Sequence, residues 1–446
     1  MRRKPISVPT PRGVSRRDLW LGAAALLGAP RFALGKGGVS SPKKLIVVFA
    51  EGGWDVTFCF DPKLSCSKDD SCAIEGPEVD EDPGNPDDRE AVQTFGAIPI
   101  VVNEHKRPAV RSFFQQWSSR CHVVNGIWTG SIAHEPCRVR ILTGTADGGR
   151  ADMATITGYT HGSALPLGSV DLSGWSIAGP LASSTGRIGF QSQIAALIDR
   201  DTPFSAPPDA GFEYPLFQMD PTDEVSVESY VRARAERLRA RFGDGGQNDR
   251  AIDDLLESLD RGDRFRAQAG DILGSLKIGS QATFDDQLDI AVDLLKAEMC
   301  QSVTIESRQE WDTHSSNVMQ HTAYEALFQG LSRLMGNLEA SGMLDDTVVA
   351  VLSEMTRSPM RNAATGKDHW GHTSAMLMGA VRGNAVSGGT DELLESVPMN
   401  LETGEVDEAG GTYCKYDDLC AGLLELAGVD PSEWLPGVVP FRGAHL

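Results

Sequence analysis

The sequence is short of positive charge. Lys and Arg number 41 against 62 Asp and Glu, for a net charge of -21 at pH 7. That deficit argues against a nucleic-acid partner, which requires a basic face. It is also uneven: residues 1–35 hold seven Lys/Arg and a single Asp, so the chain beyond them is more acidic still. No Cys-x-x-Cys spacing occurs among the eight cysteines, which removes thiolate zinc sites and thioredoxin-like chemistry. Long apolar runs are missing as well. The N-terminal run LGAAALLGAP, residues 21–30, is far shorter than the roughly 20 residues a bilayer-spanning helix needs. No membrane span is expected in the mature protein. No internal repeat and no long linker breaks the chain, so residues 36–446 are read as one domain.

What the N-terminus does contain is Ser15, Arg16 and Arg17, then Leu19, Trp20 and the apolar run. This order resembles a twin-arginine signal over residues 1–35. Ala33 and Gly35 suit a cleavage site, with a mature start near Lys36, and no Cys stands there for a lipid anchor. The implied destination is periplasmic or extracellular. That export route carries folded proteins, often with a cofactor in place, which favours a metal. In an exported protein the cysteines are compatible with disulfides. Cys66 with Cys72, Cys414 with Cys420, and Cys121 with Cys137 lie close in sequence, but their pairing is not legible.

The mature chain opens with KKLIVVFAEGGWD, residues 43–55, a buried strand feeding a Gly-Gly loop. Residues 61–90 are polar and acidic and read as an insertion. Within it VDEDPGNPDD has the oxygen-rich character of a calcium loop. Its spacing does not fit an EF-hand, and Pro83 and Pro86 interrupt it, so it is read as a solvated surface loop. Further strands are expected at 121–126, 301–307, 347–353 and 374–381. Helices are expected at 223–242, 249–261, 285–299 and 317–341, with a closing helix in YDDLCAGLLELAGVD. Alternation of strand and helix predicts an α/β sheet with helices on both faces.

In such a sheet ligands bind beyond the carboxyl ends of the strands. There the sequence places Asp55 after the first strand, and Thr129, Ser131 and His134 after the second. Asp312 and His314 follow in WDTH, Glu354 comes after TVVAVLS, and Asp368, His369 and His372 lie in KDHWGH. These are oxygen and nitrogen donors suited to zinc, manganese or a harder cation such as calcium. Singly, each motif has a plain structural reading. Gly-Gly-x-Asp is a turn with Asp as a cap, WDTH a helix start, and DHWGH a loop packing Trp370. Jointly, ligand-type residues at successive strand ends are hard to explain as caps.

GGWD, WDTH, LSEMTRSP and DHWGH, in this order, resemble the bacterial family known as domain of unknown function 1501. The resemblance covers nearly all of the mature chain. Through that family the chain looks like a distant relative of alkaline phosphatases and sulfatases, which implies a three-layer sandwich with a mostly parallel central sheet. It also implies one or two divalent metal ions acting on an anionic ester, sulfate or phosphate, of a small molecule or polysaccharide. By this resemblance Asp55 is the first-strand metal ligand, and Asp312 and His314 belong to one metal site. Glu354 is the later acid, followed by Met355 where a His is usual. His369 or His372 completes the first site, and Asp368 is a ligand or orients an imidazole.

HEPCRVRILTG, residues 134–144, is similar to the nucleophile helix of sulfatases. Pro136, Arg138, Leu142, Thr143 and Gly144 fall in register, with His134 in the nucleophile position. The readings of His134 are a metal ligand or general acid with water attacking, a bystander to Thr129 or Ser131 as nucleophile, a non-catalytic relic, or a simple helix-terminal residue. Arg138 is expected to hold an anionic group, and Arg140 to form a surface salt bridge. The rival to a hydrolase is a non-catalytic exported binding or assembly protein on the same scaffold. Oligomeric state is not legible.

Overall fold

The computed structural model describes residues 41–64, 74–187, 221–273 and 282–446. The expected signal at 1–35, and Cys66 and Cys72, lie outside the described residues. The strands, in chain order, are β1 (Lys44–Phe49), β2 (Ala91–Phe95), β3 (Ile98–Val102), β4 (Cys121–Trp128), β5 (Ser169–Asp171), β6 (Thr185–Arg187), β7 (Ser302–Glu306), β8 (Thr347–Leu352), β9 (Thr356–Arg361), β10 (Lys367–Trp370), β11 (His372–Gly379) and β12 (Ala385–Gly388). The α-helices are α1 (Pro108–Trp117), α2 (His134–Thr143), α3 (Met153–His161), α4 (Pro221–Phe242), α5 (Gln247–Leu273), α6 (Phe284–Lys296), α7 (Met319–Ala340) and α8 (Tyr416–Leu426).

Eight strands form the central sheet in the order β12-β4-β11-β8-β1-β7-β5-β6. All run parallel except β11, which is antiparallel to both neighbours. Because side chains alternate across a strand, β1 feeds two cores. Ile46 and Val48 face α1, α6 and α7, packing with Phe113, Leu288 and Leu327. Leu45, Val47 and Phe49 face α2, α3 and α8, packing with Ile141, Met153 and Leu423. A sheet covered on both faces needs continuous apolar strands, which KLIVVF and TVVAVL supply. The result is the expected three-layer α/β sandwich with a mostly parallel sheet.

Two pieces sit outside this frame. β2 and β3 form a hairpin. α4 and α5 form a two-helix arm tied by Arg232 to Asp260 and Asp263, at 2.6 and 3.0 Å. In the acidic insertion Asp80 pairs with Arg361 at 2.6 Å and Asp88 with Lys106 at 3.0 Å. Between these two ion pairs Asp82, Pro83, Gly84, Pro86 and Asp87 are exposed, so the stretch is the expected surface loop, anchored at its ends. Cys121, Cys137, Cys414 and Cys420 are buried and free, so neither close pair among them is a disulfide. Among the described residues no helix is long and apolar enough to cross a membrane.

Candidate metal centre

The carboxyl ends of β1, β4, β7 and β8 lie at one edge of the sheet. β11 runs the other way, so it starts at that same edge. The short hairpin β9–β10 delivers His369 there directly ahead of it. The KDHWGH motif is therefore strand rather than loop.

Asp312 is the hub of the cluster. Its Oδ1 lies 3.2 Å from His314 Nε2 and 3.6 Å from His369 Nε2. Its Oδ2 lies 3.7 Å from His134 Nε2. The two imidazoles His314 and His369 bring their Nε2 atoms within 2.9 Å of each other. His369 Nδ1 is 2.7 Å from the Ile132 carbonyl, and His314 Nδ1 is 3.1 Å from Asp368 Oδ1. Both partners can only accept, so both rings carry their proton on Nδ1 and turn an Nε2 lone pair inward. Two lone pairs in contact beside a carboxylate call for a cation or a shared proton between them. Asp368 contacts His314 on the nitrogen turned away from Asp312.

His134 opens α2 and joins this group to a second one. Its Nδ1 lies 2.7 Å from Oε1 of the fully buried Glu354. Its Nε2 is buried with no hydrogen-bond partner. The Glu354 hydrogen bond is the main reason its pKa is raised. His134, Asp312 and His369 present donor atoms within 4.8 Å of one another, and so do Glu51, His134 and Glu354. Glu51 is the residue that sequence reasoning missed. It is the first charged side chain after β1, four residues before Asp55, and that position is the signal that marks it. Burial, then the nearby Glu354 charge, raises its pKa.

Asp55 is not brought to the cluster. It is fully buried, 2.8 Å from Lys367 Nζ. It also accepts from Asn317 Nδ2 at 2.9 Å and caps a short 3₁₀ turn through Thr57. Burial alone would raise its carboxyl, but Lys367, Thr57 and Asn317 hold it below the ordinary value. The cap reading of Gly-Gly-x-Asp is what the structure has. His372 also points elsewhere, its Nδ1 2.6 Å from Ser396 Oγ. Thr129 Oγ1 donates within its own turn to Ser131 O at 2.5 Å, while Ser131 Oγ accepts from Ala133 N at 3.2 Å. Arg138 is 3.3 Å from Glu51 Oε1 and stacks over Trp175, its charge already used. Met355 is buried core.

Arg357, fully buried, sets the hub. It donates to Gly53 O at 2.7 Å, to Gly52 O, to Lys367 O at 3.3 Å and to Asp312 Oδ1 at 2.7 Å. Gly52 and Gly53 have φ of +120° and +80°, and a methyl on Gly52 would stand 2.9 Å from Asp312 N. The glycine pair lets the β1 loop press against residues 311–312. Burial works to raise the Asp312 pKa, but Arg357, His314 and His134 bring it below the ordinary value.

The donor set fits a divalent cation: three imidazole nitrogens face a carboxylate, and the other ring nitrogens of His134, His314 and His369 meet Glu354, Asp368 and the Ile132 carbonyl. The Asp312 and His314 side chains are about two-fifths exposed, so the cluster opens to solvent on that side.

Residues 42–437 match the family described as "Protein of unknown function (DUF1501)", and the chain belongs to that family. No curated protein matches. Among solved structures, the chain is similar to Ps i-CgsB at 11% identity and a TM-score of 0.37, covering 89% of this chain and 75% of that one. It is similar to the lipoteichoic acid synthase LtaP from Listeria monocytogenes at 9% identity and a TM-score of 0.36, covering 90% and 76%. It is similar to the phosphonate monoester hydrolase SpPMH from Silicibacter pomeroyi at 9% identity and a TM-score of 0.33, covering 90% and 78%.

Proposed function

We propose that this member of the DUF1501 family is an exported, alkaline-phosphatase-like metal protein, a single domain from residue 36 on, that hydrolyses sulfate or phosphate esters. The observation that carries the reading is the pair of inward-facing Nε2 atoms of His314 and His369 at Asp312. Asp312, His314, His369 and Nε2 of His134 would hold one divalent ion, and Glu51 with Glu354 would offer oxygens for a second. When bound, such an ion polarises an ester oxygen and lowers the pKa of a water.

The chain's own residues then have defined tasks. Glu354 accepts the Nδ1 proton of His134 and leaves Nε2 as the open, basic nitrogen. Asp368 and the Ile132 carbonyl do the same for His314 and His369. Arg357 holds Asp312 ionised. With the Thr129 hydroxyl donated to its own turn and His134 in the nucleophile position, water is taken as the attacking group.

The same use of the Thr129 hydroxyl favours a second reading, a non-catalytic exported binding protein. Metal analysis and turnover separate the cases. Protein purified without chelator or nickel should hold one or two equivalents of zinc, manganese or calcium, and Asp312→Ala and His314→Ala should lose them. A folded protein that takes up none on titration sinks the metal reading. A loaded protein that cleaves no aryl phosphate or aryl sulfate at any pH leaves the binding-protein reading.

A further inference from the structure

Arg140 was expected at a surface salt bridge. It forms none among the described residues, and its Nε is buried with no hydrogen-bond partner. Arg140 lines a cleft of about 240 Å³, together with Trp128, Thr129, Lys415, Tyr416 and Asp417. Lys415 makes no ion pair among the described residues either; its Nζ lies 5.6 Å from the Trp128 ring centroid. In a chain of net charge -21, two cations share one concavity in which Asp417 is the single carboxylate. Asp417 Oδ1 accepts from the Asp418 backbone N–H at 3.1 Å, so part of its charge is engaged at the start of α8.

We propose that this cleft binds an oxyanion (sulfate, phosphate or carboxylate) between Arg140 and Lys415. Two cations without an ion-pair partner among the described residues, lining one concavity, suit an oxyanion, and a guanidinium with an ammonium beside it supplies charge-assisted donors for it. The walls are pre-formed. Trp128 N donates to Cys414 O at 2.8 Å, pinning the end of β4 beside Lys415. Gly130, at φ +68°, brings its backbone against Arg140, where any Cβ would overlap Nη1. The cleft is distinct from the metal cluster. Arg140 lies six residues beyond His134 on α2, about 9 Å along the axis and on another face. Yet the two adjoin, because the Tyr416 hydroxyl donates to the Glu354 carbonyl. Trp128, 43% exposed at the rim, is placed to cover the ring of a sugar or aryl group that carries the anion.

The test is calorimetric titration of sodium sulfate and sodium phosphate, separately, into the full chain stripped of metal with EDTA and then dialysed free of the chelator, whose carboxylates would compete for the cleft. Saturable binding of one equivalent is expected, weakened at least tenfold in Arg140→Met and severalfold in Lys415→Met. Arg140→Lys should restore part of the loss. No saturable binding, or equal affinity in wild type and Lys415→Met, would overturn the site. Lys415 is exposed, so its variant stays informative if Arg140→Met folds poorly. A second arm compares sulfate with glucose 6-sulfate. Tighter binding of the sugar sulfate, erased by Trp128→Ala, assigns the anion to a larger ligand; equal binding assigns a free ion.

Discussion

Single residues here divide between those that face a ligand and those that hold them in place. Asp55 and Lys367 belong to the second kind. Both side chains are fully buried and 2.8 Å apart. Lys367→Met leaves a carboxylate uncompensated in the core, with only Asn317 and Thr57 to steady it. Breaking such a pair costs about 3–5 kcal/mol, and a urea midpoint should fall accordingly, with partial recovery in Asp55→Asn/Lys367→Met. An unchanged midpoint would mean the pair is solvated. At this scale the sequence was legible by type and less so by position. Asp312, His314 and His369 were identifiable as donors at strand ends. Gly-Gly-Trp-Asp points to its last residue, Asp55, as the ligand, and away from Glu51. The geometry favours the residue nearest the strand end, and a Lys 312 positions away in sequence is what claims Asp55. Arg357 gave no signal, since its role arises only once two loops meet.

Elements position the donors by close backbone approach. Gly366 leads into β10, and a methyl there would overlap the His314 carbonyl. Gly366→Ala should therefore separate the hairpin from the 312–314 loop. Overpacking of this kind costs about 1–3 kcal/mol. Metal retention against a fixed chelator concentration should drop roughly 10–100-fold, as for other changes to groups that orient ligands. Retention equal to wild type would show that the loop moves without disturbing the centre. The long periodic elements were readable: α6, α7, β8 and α8 all lie within a few residues of expectation. The short ones were not. β5 and β6 are three residues each, and β10 read as a loop because its four residues pair only with β9, an edge partner invisible in the local pattern. His372 was misplaced for the same reason: the register of β11 turns it toward Ser396.

For the molecule as a whole, acid should unfold this protein through buried imidazole as well as through its carboxylates. His122, 1% exposed in β4, contacts the Arg382 carbonyl and Ser387 Oγ. Burial lowers its pKa from 6.5 to about 4. The unfolded chain therefore binds the proton more readily. Stability from this group is complete above pH 6.5 and is lost as pH falls toward 4, by about 3 kcal/mol. Denaturant midpoints of wild type and His122→Asn, compared from pH 7 to pH 4.5, should converge as pH falls. Parallel curves would remove His122 from the acid response.

The strand order carries a consequence in time. β1 is the first strand of the described chain, yet it sits in the middle of the sheet between β7 and β8. Its partners emerge from the ribosome only some 250–300 residues later. Until then KLIVVF is an unpaired apolar template of the kind that aggregates, and contacts of such separation slow folding. Every donor of the cluster waits on the same closure, so a nascent chain that has not yet made residue 369 has no complete place to put an ion. On the proposed metal reading, an ion can be captured only late in folding, and a chain halted short of β10 should be both ion-free and in need of a chaperone.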